Sequence, residues 1–327
     1  IIFILFWLFD CINRRNSSST FYISIILMNF LKTKFNFKDN IYLKDIEKKI
    51  TKDVVDFYNV KPFPNYKHDD NKASILNKGD KNLLAKNFKK FTGFNKKILE
   101  VGCGTGQLSM YFSIGTNNEI VSLDPTLASL KLASKFAEEN NIKNVKLVNA
   151  DIFDDVLKDN YFDFVWTNGV LHHTDNPKKA FEIVIKSLKQ NGYILVGLYN
   201  TIGRIRTKIR KYLYKLFGKK IVLNLDPVLR NIKSDAPEQI EAWIRDQYEH
   251  PVESTHSIDE VLKWFNDNEI EFISSIPMCD ISLISNNDLF KKQNIGNIFY
   301  RIFNQFMMAF NYLGDDGGLF IMIGRKK

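Results

Sequence analysis

Between residues 96 and 199, short apolar runs alternate with helical patterns along the chain. The runs KKILEV (96–101), EIVSLD (119–124), VKLVNAD (145–151), FDFVWTN (162–168) and GYILVGLY (192–199) are rich in Ile, Val, Leu and Phe. Runs of this length and content suit strands covered on both faces, as in a parallel sheet. PTLASLKLASKFAEENN and NPKKAFEIVIKSLKQNG, which lie between runs, have apolar residues three and four apart and predict helices, the second ended by Gly192. Strand and helix in repetition predict an α/β fold with a parallel sheet and right-handed crossovers.

The flanks read differently. From 41 to 91 the spacing is helical: Ile46, Ile50, Val54 and Tyr58 recur, then Leu83, Leu84, Phe88 and Phe91 after Asp80, with the proline-broken loop KPFPNYKHDD between. After Tyr199 the strand–helix rhythm stops until SIDEVLKWFNDN and EFISSIP resume it. A second insert then precedes the last strand, GLFIMIGRKK. Five units follow: a tail (1–40), a helical segment (41–91), a core (92–200), a helical insert or cap (201–256), and a closing helix with the last strands (257–327).

With 45% hydrophobic and 25% charged residues, the composition is globular. Its three cysteines, Cys11, Cys103 and Cys279, are far apart, which suits a reducing, cytoplasmic setting rather than a disulfide framework. The net charge of +9 is concentrated: residues 201–220 hold eight Lys or Arg and no acid. There Ile205, Ile209, Tyr212, Leu213, Leu216 and Phe217 share one side of a helix. Arg204, Arg206, Lys208, Arg210, Lys211 and Lys215 mostly take the others. Such a helix either lies on an anionic membrane surface as a peripheral contact or caps a domain with its cations in water. The apolar runs at 1–9 and 21–31 are too short to span a bilayer. Met28 reads as a native start and residues 1–27 as upstream sequence, with a weak membrane anchor as the alternative.

The chemistry centres on ILEVGCGTGQL (98–108). The glycines fall as G-x-G-x-G, and Gln107 takes the third glycine's place in the dinucleotide fingerprint. Glu100, just before the turn, would repel a pyrophosphate and suit a ligand bearing positive charge. LEVGCGTGQ resembles the first motif of the class I S-adenosylmethionine-dependent methyltransferases, and the likeness continues in order along 92–200. This family implies a Rossmann-like, mostly parallel seven-stranded sheet with helices on both faces and its last strand antiparallel. A helical N-terminal extension and a helical insert after strand 5 would be added to it.

The resemblance implies S-adenosyl-L-methionine as cofactor. Glu100, Gly102, Cys103, Gly104 and Gly106 would form the turn around its amino-acid end. Asp124 and Pro125 would lie at the ribose, Asp151 and Ile152 at the adenine, and Asn168 and Gly169 beside the methionine. His172 and His173 follow the fourth strand at the edge where such sheets bind ligands, and are the catalytic candidates, with Tyr199 and Asn200 placed likewise. The helical amino-terminal segment, with Phe63, Asn65 and Tyr66 in its loop, can fold over the cofactor as a lid. His250, Glu253 and His256 form either a loop network or a substrate-facing cluster; they lack a visible fourth metal ligand, so no metal is assigned.

Cofactor motifs do not name the acceptor. The fourth strand ends TNGV, without the N-P-P-[YF] sequence of amino-group nucleic-acid methyltransferases, and no Pro-Cys nucleophile appears. A small-molecule or lipid-like acceptor, such as a quinone precursor, is therefore expected over nucleic acid. The rival readings are a non-enzymatic, membrane-associated cofactor-binding module and an NAD-dependent oxidoreductase.

Overall fold

The computed structural model describes residues 24–26, 28–46, 49–62, 64–232, 237–280, 289–310 and 318–327. The readings of residues 1–23 and of Phe63 lie outside the described residues. One sheet contains strands β1 (Ser24–Ile26), β2 (Phe35–Lys38), β3 (Ile41–Leu43), β4 (Lys97–Val101), β5 (Glu119–Asp124), β6 (Val145–Asn149), β7 (Phe162–Asn168), β8 (Leu188–Tyr199), β9 (Ile270–Ile276) and β10 (Leu319–Lys326). Their order is β1-β2-β3-β6-β5-β4-β7-β8-β10-β9. The seven expected strands run from β6 to β9 in that order, and β10 is antiparallel to both neighbours, as the resemblance implied.

The sheet is nevertheless larger than seven strands. Residues assigned to a tail and the start of a helical segment instead add three strands beside β6, with β3 parallel to it and β1 and β2 antiparallel. Between β2 and β3, Asp39 and Asn40 have φ of 52° and 59°, as a tight hairpin turn of that twist requires. The signal was in FNFK-DN-IYL: two short alternating runs around an Asp-Asn pair.

The helices are α1 (Lys49–Val60), α2 (Lys72–Lys81), α3 (Leu83–Thr92), α4 (Gln107–Ser113), α5 (Leu127–Glu139), α6 (Pro177–Ser187), α7 (Ile205–Phe217), α8 (Lys219–Leu225), α9 (Pro227–Asn231), α10 (Pro237–Ile244), α11 (Ile258–Asp267) and α12 (Ile298–Met307). Gly192 does not end α6. That helix stops at Ser187, and Leu188 already pairs with Phe162, so Gly192 lies within β8.

Successive strand residues enter two cores. Leu99, Val121 and Val148 pack on one face with Phe181, Val261 and Phe265 of α6 and α11. Ile98, Ile120 and Leu147 pack on the other with Phe88, Met110 and Leu130 of α3, α4 and α5. Burial on both faces explains why these strands read as continuous apolar runs. β4 and β7 are neighbours although β5 and β6 lie between them in sequence, so the crevice at their carboxyl ends is the topological switch point.

Candidate active site

After β4 the chain turns sharply. The Gly102 and Cys103 N–H groups donate to the Leu123 carbonyl at 2.7 and 3.2 Å, which ties the turn to β5. Gly102, Gly104 and Gly106 have φ of +66°, +53° and +71°. A Cβ at Gly102 would fall 2.5 Å from both Val170 methyl carbons, so neither conformation nor space admits a side chain. Gly102→Ala is therefore expected to lose roughly 1–3 kcal/mol of stability through backbone conformation alone. Urea unfolding checks this, and a change within 0.5 kcal/mol, the range of a neutral surface substitution, would refute it.

Three strand ends supply the polar groups. The Asp124 carboxylate accepts the Gly104 N–H at 2.8 Å and the Thr126 N–H at 2.8 Å. Burial nevertheless pushes its pKa up, against those two donors. Asp151 accepts the Phe153 N–H at 2.9 Å and the Thr51 hydroxyl of α1 at 2.5 Å. The buried Asn168 Oδ1 has no hydrogen-bond partner among the described residues. It fits against Gly197, where a Cβ would lie 1.7 Å from that oxygen.

These groups open on a cavity of about 390 Å³, within the range of small-molecule sites. Gly102, Cys103, Gly104, Asp124, Pro125, Asp151, Ile152, Asn168, Gly169 and His173 line it. Thr51, Val54 and Tyr58 of α1, Pro64, Tyr199, and Trp243, Asp246 and Gln247 from the insert are also among its lining. The sequence reading placed the helical amino-terminal segment over the cofactor but named none of these α1 residues. It missed those of the insert, because nothing in their spacing says which side chains reach the sheet edge. The Pro64–Tyr66 loop is pinned to the turn. Thr105 Oγ1 donates to the Pro64 carbonyl, the Tyr66 hydroxyl donates to the Thr105 carbonyl at 2.9 Å, and the Tyr66 ring stacks on Phe136 at 4.4 Å.

Glu100, Gly106 and His172 lie outside this lining. Glu100 is buried behind the turn, accepts the Ser109 hydroxyl, and has its pKa pushed up to about 8 by desolvation. It is therefore largely uncharged at neutral pH, which corrects the sequence reading of a carboxylate facing a positive ligand. Between pH 4.5 and 8 the folded state binds the Glu100 proton and the unfolded chain does not. Stability from this group is thus present below pH 4.5 and lost as pH rises to 8. Glu100→Gln is expected to flatten that decline, by a few kcal/mol over the window. Denaturant unfolding of both proteins at pH 5 and 8 checks it, and parallel pH profiles would refute it.

Gly106 instead caps α4, and a Cβ there would lie 3.1 Å from that of Ala133 on α5. His172 is 0% exposed, and its ring lies 4.0 Å from that of Tyr199. Burial, with His173 and Arg204 nearby, holds its pKa well below the usual imidazole range. It is a packed, neutral ring.

His173 is placed differently. Its Nδ1 lies 2.7 Å from the Val252 carbonyl, so the proton sits on Nδ1 and Nε2 carries the lone pair. Its ring centre is 3.7 Å from that of His250, and burial lowers the pKa of both, that of His250 to about 2. Beside it, the Tyr199 hydroxyl accepts the Gln247 amide at 3.2 Å, and the Arg204 guanidinium lies 3.7 Å over the Tyr199 ring. Arg204 is 0% exposed. It donates to both Glu253 carboxylate oxygens, at 3.0 and 2.8 Å, and to the Gln247 carbonyl at 2.5 Å. The expected trio thus separates: His250 on His173, Glu253 on Arg204, and His256 between Ser254 and Glu260 at 2.8 and 2.9 Å. Asn200 caps the next turn through its Oδ1 and lies outside the cavity lining.

Residues 94–269 match a family model described as a methyltransferase domain, which covers more than half of the chain. The chain belongs to this methyltransferase-domain family. S-adenosylmethionine, the cofactor the sequence implied, goes with that membership. The uncharacterised methyltransferase YcgJ of Bacillus subtilis is 30% identical over 104 residues, covering 32% of this chain and 41% of that protein. The ubiquinone biosynthesis O-methyltransferase of Rickettsia akari is 28% identical over 104 residues, covering 32% and 40%. An uncharacterised Synechococcus protein is 23% identical over 198 residues, covering 54% and 48%. The methyltransferase-domain chain thus spans less than half the length of these curated relatives. Among solved structures, PKMT2 from Rickettsia typhi has the same fold, with a TM-score of 0.55 at 16% identity over 75% of this chain and 52% of that one. Among the described residues, no helix is long and apolar enough to cross a membrane.

Proposed function

We propose that this methyltransferase-domain protein methylates a small, partly apolar, lipid-like acceptor, with His173 as the general base. The observation behind this reading is the continuity of one cavity from Gly102, Asp124 and Asn168 to His173, Tyr199, Trp243 and Asp246. The residues present suit S-adenosylmethionine. Asn168 and Gly169 line the cavity where the methionine end would lie, and Asp124 still has lone pairs for ribose hydroxyls. Asp151, with Ile152 and Phe153, offers a polar and apolar edge for adenine. When bound, this cofactor supplies an electrophilic methyl group for in-line displacement.

The chain's own work is then to align, exclude water and move a proton. α1 and the insert cross over the cavity, joined by the Tyr58 hydroxyl on Asp246 at 3.3 Å and the Arg245 guanidinium on the Phe57 carbonyl at 2.6 Å. His173 Nε2 can take a proton from an acceptor hydroxyl while Nδ1–H stays on Val252. Its lowered pKa keeps it unprotonated at neutral pH, so activity should hold to lower pH than a free imidazole allows. The named activity of the Rickettsia akari relative, O-methylation in ubiquinone biosynthesis, makes phenols and catechols with apolar tails the first acceptors to try. Buried free thiols at Cys103 and Cys279 suit the reducing cytoplasm expected from the sequence.

The test is transfer of methyl-labelled S-adenosylmethionine to such a panel. His173→Asn is expected to lower kcat by about a hundredfold or more on a hydroxyl acceptor and leave cofactor binding intact. Label in no product, or an undiminished kcat in the variant, would sink the corresponding half of the reading.

A further inference from the structure

Helices α7 and α12 are built inside out. On α7 the buried residues are Thr207 and Arg210, while Ile205, Ile209, Tyr212, Leu216 and Phe217 are exposed. On α12 the inward side is polar. Gln305 Oε1 accepts from Asn200 at 2.9 Å and from the Ile258 N–H at 2.9 Å, the Asn304 amide donates to the Met278 carbonyl at 2.5 Å, and Arg301 pairs with Asp259 at 2.6 Å. Its outward side holds Ile298, Phe299, Ile302, Phe303 and Phe306, with Phe299 79% exposed, and Phe310 continues the stripe. An ordinary surface helix turns its apolar stripe to the core and its polar face to water. Here the polar residues are anchored by specific partners, so rotating either helix would break those bonds.

The two helices adjoin. Gly203, before α7, faces Met308, at the end of α12, and the Arg206 guanidinium reaches the Ala309 carbonyl at 3.4 Å. Neither stretch carries a carboxylate: residues 201–225 and 289–310 contain no Asp or Glu but hold eleven Lys and Arg. Exposed Arg206, Lys208, Lys215, Lys219 and Lys220, with Lys291, therefore accompany the apolar side chains, while Lys292 is paired with Glu271 of β9. Exposed aromatic and aliphatic residues on two helices that meet at their ends mark an interaction surface, and an excess of cations selects its sign.

We propose that α7 and α12 together dock the protein on an anionic lipid bilayer, with the Phe and Ile side chains entering the headgroup boundary and the cations meeting lipid phosphates. Aromatic and aliphatic insertion combined with basic charge is the physical signature of interfacial binding. A solvated cap would show the reverse, with its apolar residues inside. A second copy of this chain fits less well, because two surfaces of like charge would meet.

Vesicle flotation of the full chain tests this, using phosphatidylcholine with and without phosphatidylglycerol. The protein should float with the anionic vesicles, and added salt should weaken binding. Phe299→Glu with Phe303→Glu, and separately Lys208→Glu with Lys215→Glu, should each lower binding at least about tenfold. Unchanged thermal unfolding and cofactor binding would show that these exposed substitutions leave the fold intact. No flotation with anionic vesicles, equal flotation with neutral ones, or binding that survives both double substitutions would each overturn the proposal. So would a dimer in light scattering that Phe299→Glu disperses, since the second copy would then be the occupant.

Discussion

Asp124→Ala is expected to weaken S-adenosylmethionine binding about a hundredfold. Hydrogen bonds to a charged group contribute about 1.5 kcal/mol each, and loss of two to the ribose hydroxyls gives about 3 kcal/mol. The same substitution strips the Gly104 and Thr126 N–H groups of their acceptor, loosening the turn whose shape the cavity needs. Asp124→Asn should fall between, since one amide oxygen must serve two backbone donors. Calorimetric titration with S-adenosylmethionine reads the affinity directly. Thermal unfolding with S-adenosylhomocysteine gives a second readout, because a ligand at a hundred times its Kd adds about 2.7 kcal/mol. An unchanged Kd in Asp124→Ala would take the ribose away from β5 and with it the cofactor placement proposed above.

Arg204→Ala is expected to destabilise the fold by about 3–5 kcal/mol, the range for removing one partner of a buried ion pair. Arg204 is fully buried, and Glu253 would be left with its carboxylate in a poorly hydrated place. Glu253 has its pKa lowered, chiefly by hydrogen bonds and charge from Arg204 working against desolvation. Arg204→Lys should rescue little, because a single ammonium cannot reproduce the two-point contact with Glu253 and also reach Gln247. Lys215→Ala, at an exposed cation of the same helix, should stay within about 0.5 kcal/mol. Guanidinium unfolding of the three variants separates these outcomes. A loss below 1 kcal/mol in Arg204→Ala would mean that the Glu253 site is hydrated and the pair contributes little. Because Gln247 links Arg204 to Tyr199, Arg204→Ala should also lower acceptor turnover more than cofactor affinity.

The sequence determined the sheet core, the antiparallel last strand by resemblance, and the places of the glycine turn and strand-end acids; the strand order came from the structure. Those features are local: a turn that needs positive φ, and an acid at the end of an apolar run, are written in consecutive residues. What only the tertiary structure decided depends on contacts between distant segments. Glu100 and Asp124 look alike in sequence, yet one is desolvated behind the turn and the other lines the cavity. His172 and His173 are adjacent, but the carbonyl of Val252, far along the chain, gives only His173 an oriented tautomer. The amphipathic pattern of α7 fixed that one face is apolar and could not say which face is inside. That choice was made by the partners of buried Arg204 and Arg210. Turning the apolar face inward would strip Glu253 and buried Gln247 and Tyr248 of their guanidinium partners, at a greater cost than exposing Ile and Phe side chains.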